Sequence, residues 1–125
     1  MKTLLLVACL LTISYAIDPE KVKKIFDSIT TCAQELHVSE EYTPDVVKCS
    51  LQKHEMIDEQ GLIIKEKVLE NFNNIISDET KLRQAREIFS TCIEQANQGP
   101  GSNDEKTMAV IRCGTRVIYL FDKPQ

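Results

Sequence analysis

The sequence predicts an all-α fold, a compact bundle of about five to six helices tied by two disulfides. Two observations carry the helices: apolar residues recur at three- and four-residue spacing along most of the chain, and no segment alternates with period two. A third, the cysteine count, carries the staples. Five cysteines are present in the 125 residues, and one of them, Cys9, falls in a segment that reads as a leader.

That leader sets the compartment. Lys2 precedes an apolar run from Leu4 to Ile13, and Ser14-Tyr15-Ala16 places small residues where a signal peptidase requires them. Residues 1–16 therefore read as a signal peptide and residues 17–125 as one helical domain starting at Ile17. The run is shorter than the roughly 18 apolar residues that make a transmembrane candidate, so a secreted, extracellular product is expected. Loss of Cys9 leaves Cys32, Cys49, Cys92 and Cys113, an even number that argues for disulfides in an oxidising compartment. Loss of Lys2 takes the net charge from −4 to −5, a sign that argues against nucleic acid as a partner. No Asn-x-Ser/Thr sequon occurs.

The elements follow in order. Asp18-Pro19-Glu20 opens the first helix with a capping acid, proline at the first helical position and a second acid facing the dipole. Its buried stripe is Val22, Ile25/Phe26, Ile29, Cys32/Ala33 and Leu36. Thr43-Pro44-Asp45 starts a shorter second helix that is expected to bury Val46/Val47, Cys49/Ser50 and Leu51. Asp58-Glu59-Gln60-Gly61 breaks the pattern, and Ile64, Val68, Phe72 and Ile75/Ile76 mark a third. Ser77-Asp78 caps a fourth, with the stripe Leu82, Ala85, Ile88/Phe89, Cys92 and Ala96, and Gly99-Pro100-Gly101 ends it. Ser102 with Glu105 forms a capping box for the fifth, which runs through Met108, Ile111 and Ile118 to the apolar tail Tyr119-Leu120-Phe121.

Four cysteines allow three pairings, and the helix pattern favours one. Cys32 lies near the end of its helix and Cys49 a similar distance into the next, so at about 1.5 Å per residue they are level in an antiparallel hairpin. Cys92 and Cys113 flank the Gly-Pro-Gly turn in the same way. The expected pairs are Cys32 with Cys49 and Cys92 with Cys113.

Catalytic constellations are absent from the sequence. The two histidines, His37 and His54, belong to no nucleophile, base and orienter pattern. There is no paired-histidine zinc motif, and the cysteines are better used as disulfides than as thiolates. The acidic turn at Asp58 lacks the alternating oxygen ligands of a calcium loop. The expectation is a non-enzymatic protein without cofactor or metal.

Lys48-Cys49, then Met56-Ile57-Asp58-Glu59-Gln60-Gly61, then Cys92 and Cys113 behind a capped helix, resemble the insect odorant-binding protein family. The resemblance implies that Asp45 and Asp104 stand where two further family cysteines would be, the mark of its four-cysteine, minus-C subgroup. It implies the same two pairings and an apolar internal cavity. It also implies a role in olfaction, carrying an odorant, pheromone or fatty-acid-like molecule, with a membrane receptor as a further partner and a monomer or weak dimer as the working unit.

On that basis the ligand-lining residues are expected on the most apolar faces: Ile64, Val68, Phe72 and Ile75 of the third helix, Phe89 of the fourth, and Met108, Ile111 and Ile118 of the fifth. Scarcity of bulky filler, with no Trp and 6% aromatic residues, leaves room for a cavity. The tail Tyr119-Leu120-Phe121 is expected to fold over its mouth. The competing reading is a secreted helical effector or signal that acts through a protein partner.

Overall fold

The structure, a computed structural model, describes residues 17–39 and 42–124; the leader reading for residues 1–16 lies outside the described residues. Five α-helices follow one another, α1 (Pro19–Glu35), α2 (Pro44–Lys53), α3 (Lys65–Ile75), α4 (Glu79–Gln98) and α5 (Asn103–Gly114), and a 3-10 helix, Thr115–Leu120, closes the chain. Among the described residues the only extended pairing is an isolated antiparallel bridge between Ile57 and Ile63. The fold class is the one the periodicity predicts.

Helix starts are set where the sequence places caps. The Asp18 carboxylate accepts from the Glu20 amide at 3.1 Å, the Asp78 carboxylate from the Lys81 amide at 3.0 Å and the Thr43 hydroxyl from the Val46 amide at 3.4 Å, satisfying donors that the first turn leaves free. Ser102 accepts from the Glu105 amide at 3.2 Å and donates its own proton to Glu105 Oε1 at 3.3 Å. Helix α3 has no such side chain: Ile64 occupies its cap position, so Ile64 precedes the helix that the sequence reading began with it. The fifth helix ends earlier than its apolar pattern suggests, because the chain tightens into the 3-10 helix at Thr115, whose hydroxyl donates to the Ile111 carbonyl at 2.6 Å.

Two helix ends turn through left-handed backbone without a glycine. His37 and Glu55 take the left-handed conformation at φ 57° and 58°, and the following amides reach back across the turn, Val38 to the Ala33 carbonyl at 3.0 Å and Met56 to the Leu51 carbonyl at 2.9 Å. Both are Schellman-type stops made at the cost of an L-residue in left-handed space.

The core draws one stripe from each helix: Val22, Ile25 and Ile29 from α1, Val46 from α2, Val68, Phe72 and Ile75 from α3, Ala85, Phe89 and Cys92 from α4, and Val110 from α5. Two antiparallel hairpins frame it. Cys32–Cys49 crosslinks α1 to α2 with Cα atoms 5.9 Å apart, and Cys92–Cys113 crosslinks α4 to α5 at 5.7 Å, the pairing the hairpin geometry predicts. Each closes a loop whose chain-entropy contribution is about 3 kcal/mol.

The joint between α3 and α4 holds both ends of the domain. The Asp18 amide donates to the Asn74 carbonyl at 3.0 Å and the Asp122 amide to the Ile75 carbonyl at 2.8 Å. The Asp122 carboxylate accepts from the Ser77 amide and hydroxyl, each at 3.0 Å.

Candidate functional site

An apolar cavity of about 80 Å³ lies between α2, α3, α4, α5 and the terminal 3-10 helix. Helix α2 contributes Val47 and Leu51, the loop before α3 contributes Ile63, and α3 and α4 contribute Val68, Phe72 and Phe89. Val110, Ile111, Gly114 and Thr115 from α5 and its continuation form the far wall, and Val117, Ile118 and Phe121 close it. The Phe72 and Phe89 rings meet edge to face at 5.7 Å, and Phe121 packs on Phe72 at 5.9 Å and on Phe26 at 6.4 Å. The one lining hydroxyl, Thr115, is already bonded to a backbone carbonyl, so the wall presents almost nothing to which water could bond.

Of the residues expected to line a cavity, Val68, Phe72, Phe89, Ile111 and Ile118 come together here. Ile64, Ile75 and Met108 lie outside the lining. Ile64 is turned away at the helix cap while its neighbour Ile63 faces in; Ile75 is fully buried in the core beneath the tail; and Met108 sits on the half-buried flank of α5, whose inward residues are Val110 and Ile111. Sequence reasoning missed Val47, Leu51, Ile63, Val110, Gly114, Thr115 and Val117. Val47 and Leu51 are part of an apolar pattern that was legible, but only the crossing of α2 over α5 turns them toward this space.

The tail does reach the pocket, through one residue. Phe121 lines it, whereas Tyr119 is 71% exposed and stacks outward on Tyr42 at 5.7 Å. Ile118 and Phe121 also border a second, outer groove of about 370 Å³ with Phe26, Tyr42, Lys123 and Pro124. These two side chains are the partition between the inner cavity and the outer groove.

A polar knot lies elsewhere, between α1 and α2. Ser28 donates to the Ile25 carbonyl at 2.7 Å, and its oxygen is 2.6 Å from the Ser50 hydroxyl and 3.1 Å from His54 Nε2. The ring also bonds the Lys24 backbone; burial, assisted by the Lys24 charge, nonetheless holds its pKa below the ordinary value of 6.5. A serine beside a neutral histidine has the elements of a nucleophile and base. Here the serine lies between two helices, and it lines neither the inner cavity nor the outer groove. Cys32, Glu35 and Cys49 also converge; their sulfurs are bonded to each other, and Glu35 takes the Lys53 ammonium at 3.1 Å.

The Asp58 turn is a backbone device. The Asp58 carboxylate accepts from the Gln60 amide at 2.9 Å and the Leu62 amide at 3.0 Å, and Gly61 takes φ 86°, the conformation that glycine tolerates best. Thr107, buried in α5, donates to the Gly61 carbonyl, so the turn is fastened to the helix that walls the cavity.

Comparison with known proteins decides the kinship. The sequence profile of the ant venom allergen Sol i 2 family matches residues 31–118. The chain belongs to the ant venom allergen Sol i 2 family. A curated relative, Venom allergen 2 of Solenopsis saevissima, is 28% identical over 122 residues, which cover 90% of this chain and 88% of that protein. This corrects the resemblance to odorant-binding proteins, and with it the assignment to olfaction. The features that suggested it, two helix hairpins closed by cysteines and an acidic turn ending in glycine, are present in this chain as a member of another family. They specify a construction more than a lineage. Within the Sol i 2 family the chain is a small helical protein with two disulfides, and no helix among the described residues is long and apolar enough to cross a membrane.

Proposed function

We propose that this chain is a secreted, non-catalytic binding protein that holds a small molecule of low polarity in the cavity beneath Phe121. The observation that carries the reading is the lining itself: side chains from four helices and the tail surround free volume and offer no unsatisfied buried polar group. Transfer of apolar surface into such a space is worth about 25 cal/mol per Å². The leader pattern and the kinship with venom allergens support release into an extracellular fluid.

At about 80 Å³ the resting cavity is well below the roughly 300–1,000 Å³ of ordinary ligand pockets. It takes a short alkyl segment. Longer ligands require Phe121 to swing outward, which joins the cavity to the outer groove and gives a space within the ordinary range. Such a swing breaks two ring contacts and leaves the Asp122 clamp in place, so it is a local motion.

The test is displacement of a neutral naphthylamine probe from the oxidised protein starting at Ile17, using straight-chain alcohols of increasing length. Saturable uptake is expected, with an affinity that rises with chain length and that Phe121→Ala increases for the longer alcohols. Absence of uptake by both proteins would remove the carrier reading and leave the second one, a protein-binding effector, for which the small resting volume and the exposed Leu36, Val38 and Tyr119 are the supporting observations.

A further inference from the structure

We propose that the ligand is an anionic amphiphile, an alkyl chain ending in a carboxylate or sulfate, whose head group is held by Lys65 and Lys106. The inference rests on the carrier reading and adds the ligand's charge. On the side of the cavity away from Phe121, Ile63 and Val110 form a shared wall. Behind them lies a recess of about 190 Å³, also lined by Lys65, Ile93, Asn97 and Lys106. Leu62, Ile63, Ile93 and Val110 are its apolar lining, and Lys65, Asn97, Lys106 and Thr107 its polar lining.

The lining contains no acid. Neither lysine makes an ion pair among the described residues, although Lys106 is half-buried and the chain as a whole carries excess negative charge. The acids nearest in sequence are used elsewhere or face solvent. Asp104 is bound to Lys48 at 2.6 Å, Glu105 to the Ser102 hydroxyl, and Glu66 is exposed and outside the lining. Thr107, the remaining polar side chain of the recess, spends its hydroxyl on the Gly61 carbonyl. Two cations without ion-pair partners beside an apolar recess favour an oxyanion by Coulomb attraction and by charge-assisted hydrogen bonds, with the Asn97 amide as a third donor. A neutral alcohol gains only the apolar part. Rotation of Ile63 or Val110 is the single opening needed for one molecule to span both spaces.

Octanoate, octyl sulfate and 1-octanol share a chain length and differ in the head group. Probe displacement at neutral pH from the oxidised protein is expected to show at least one of the anions binding about tenfold more tightly than the alcohol, the worth of one charge-assisted hydrogen bond. The double variant Lys65→Gln with Lys106→Gln should lose that preference, so that the anions bind no more tightly than 1-octanol; Lys23→Gln, on the exposed face of α1, should keep the preference and the wild-type affinity for 1-octanol. A preference for carboxylate alone or sulfate alone identifies the source of the oxyanion. Equal binding of all three by the wild type, or a preference that survives in the double variant, overturns the head-group assignment and leaves the carrier reading intact. Failure of all three to bind overturns both.

Discussion

The two disulfide-closed hairpins are alike in plan and differ in the chemistry packed against them. Between α1 and α2, Ser28, Ser50 and His54 meet in a hydrogen-bonded knot, and Glu35 and Lys53 pair across the end. Between α5 and its neighbours there is a space walled by hydrocarbon, with Gly114 and Thr115 just beyond the crosslinked Cys113. A polar interface must be fully satisfied to be tolerated, and a space of about 260 Å³ lined in part by Lys24 and His54 lies beside this one. An apolar one tolerates a gap at the cost only of lost dispersion contacts. The lesson is that a crosslink fixes the register of two helices without deciding whether the space beside them is full.

The largest effect that separates the hairpins should come from the crosslinks. Replacing Cys32 and Cys49 by alanine, or Cys92 and Cys113, should each lower unfolding free energy by about 3 kcal/mol in urea titration. Only the second replacement should speed probe release, because Cys113 anchors the wall of the cavity. Equal effects on release would break the comparison.

Within the knot the two serines are unequal. Ser28→Ala strands the Ser50 hydroxyl, 6% exposed, without its partner and should cost about 1–3 kcal/mol. Ser50→Ala leaves Ser28 bonded to the Ile25 carbonyl and to His54, and should cost about 1 kcal/mol. A Ser50→Ala loss larger than that of Ser28→Ala would mean the bonding order is misread.

His54 gives the knot a pH signature. Its folded pKa lies below the ordinary 6.5, so the unfolded chain binds the proton first as pH falls. Stability is therefore lost from about that ordinary value down to the folded pKa and levels off beneath it. His54→Gln should remove this component, seen as a wild-type-minus-variant difference in unfolding midpoint that changes across mildly acidic pH. A difference that stays flat would show that the ring is as easily protonated in the fold as out of it.

The smallest effect concerns the helix stops. Glycine at His37 relieves the left-handed strain and should stabilise by about 1 kcal/mol, a shift readable in a thermal scan; destabilisation there would show that the side chain makes a compensating contact.

These cases also mark what the sequence could reveal. Starts were readable because Asp18, Asp78 and Ser102 are chemically distinctive, and the crosslinks because helix rise puts cysteines level. The stops at His37 and Glu55 were not, because nothing about those side chains announces left-handed backbone. Val68, Phe72 and Phe89 were identifiable as inward-facing from periodicity alone. Whether they face side chains or free volume depends on how α2 crosses α5, a relation between distant segments that hydropathy does not encode. The family kinship was missed for a related reason: cysteine spacing reports which helices are joined, and several lineages join helices in the same way.

The α3–α4 joint, where Asn74, Ile75 and Ser77 receive Asp18 from one side and Asp122 from the other, has a consequence for biogenesis. During synthesis the first of these contacts is available as soon as α3 has emerged, while the second must wait for α4, α5 and the 3-10 helix. Phe121, which shuts the cavity, arrives together with Asp122. The nascent protein therefore has an open, greasy interior until the 3-10 helix and Phe121 have emerged, and that last segment of the bundle is what covers it.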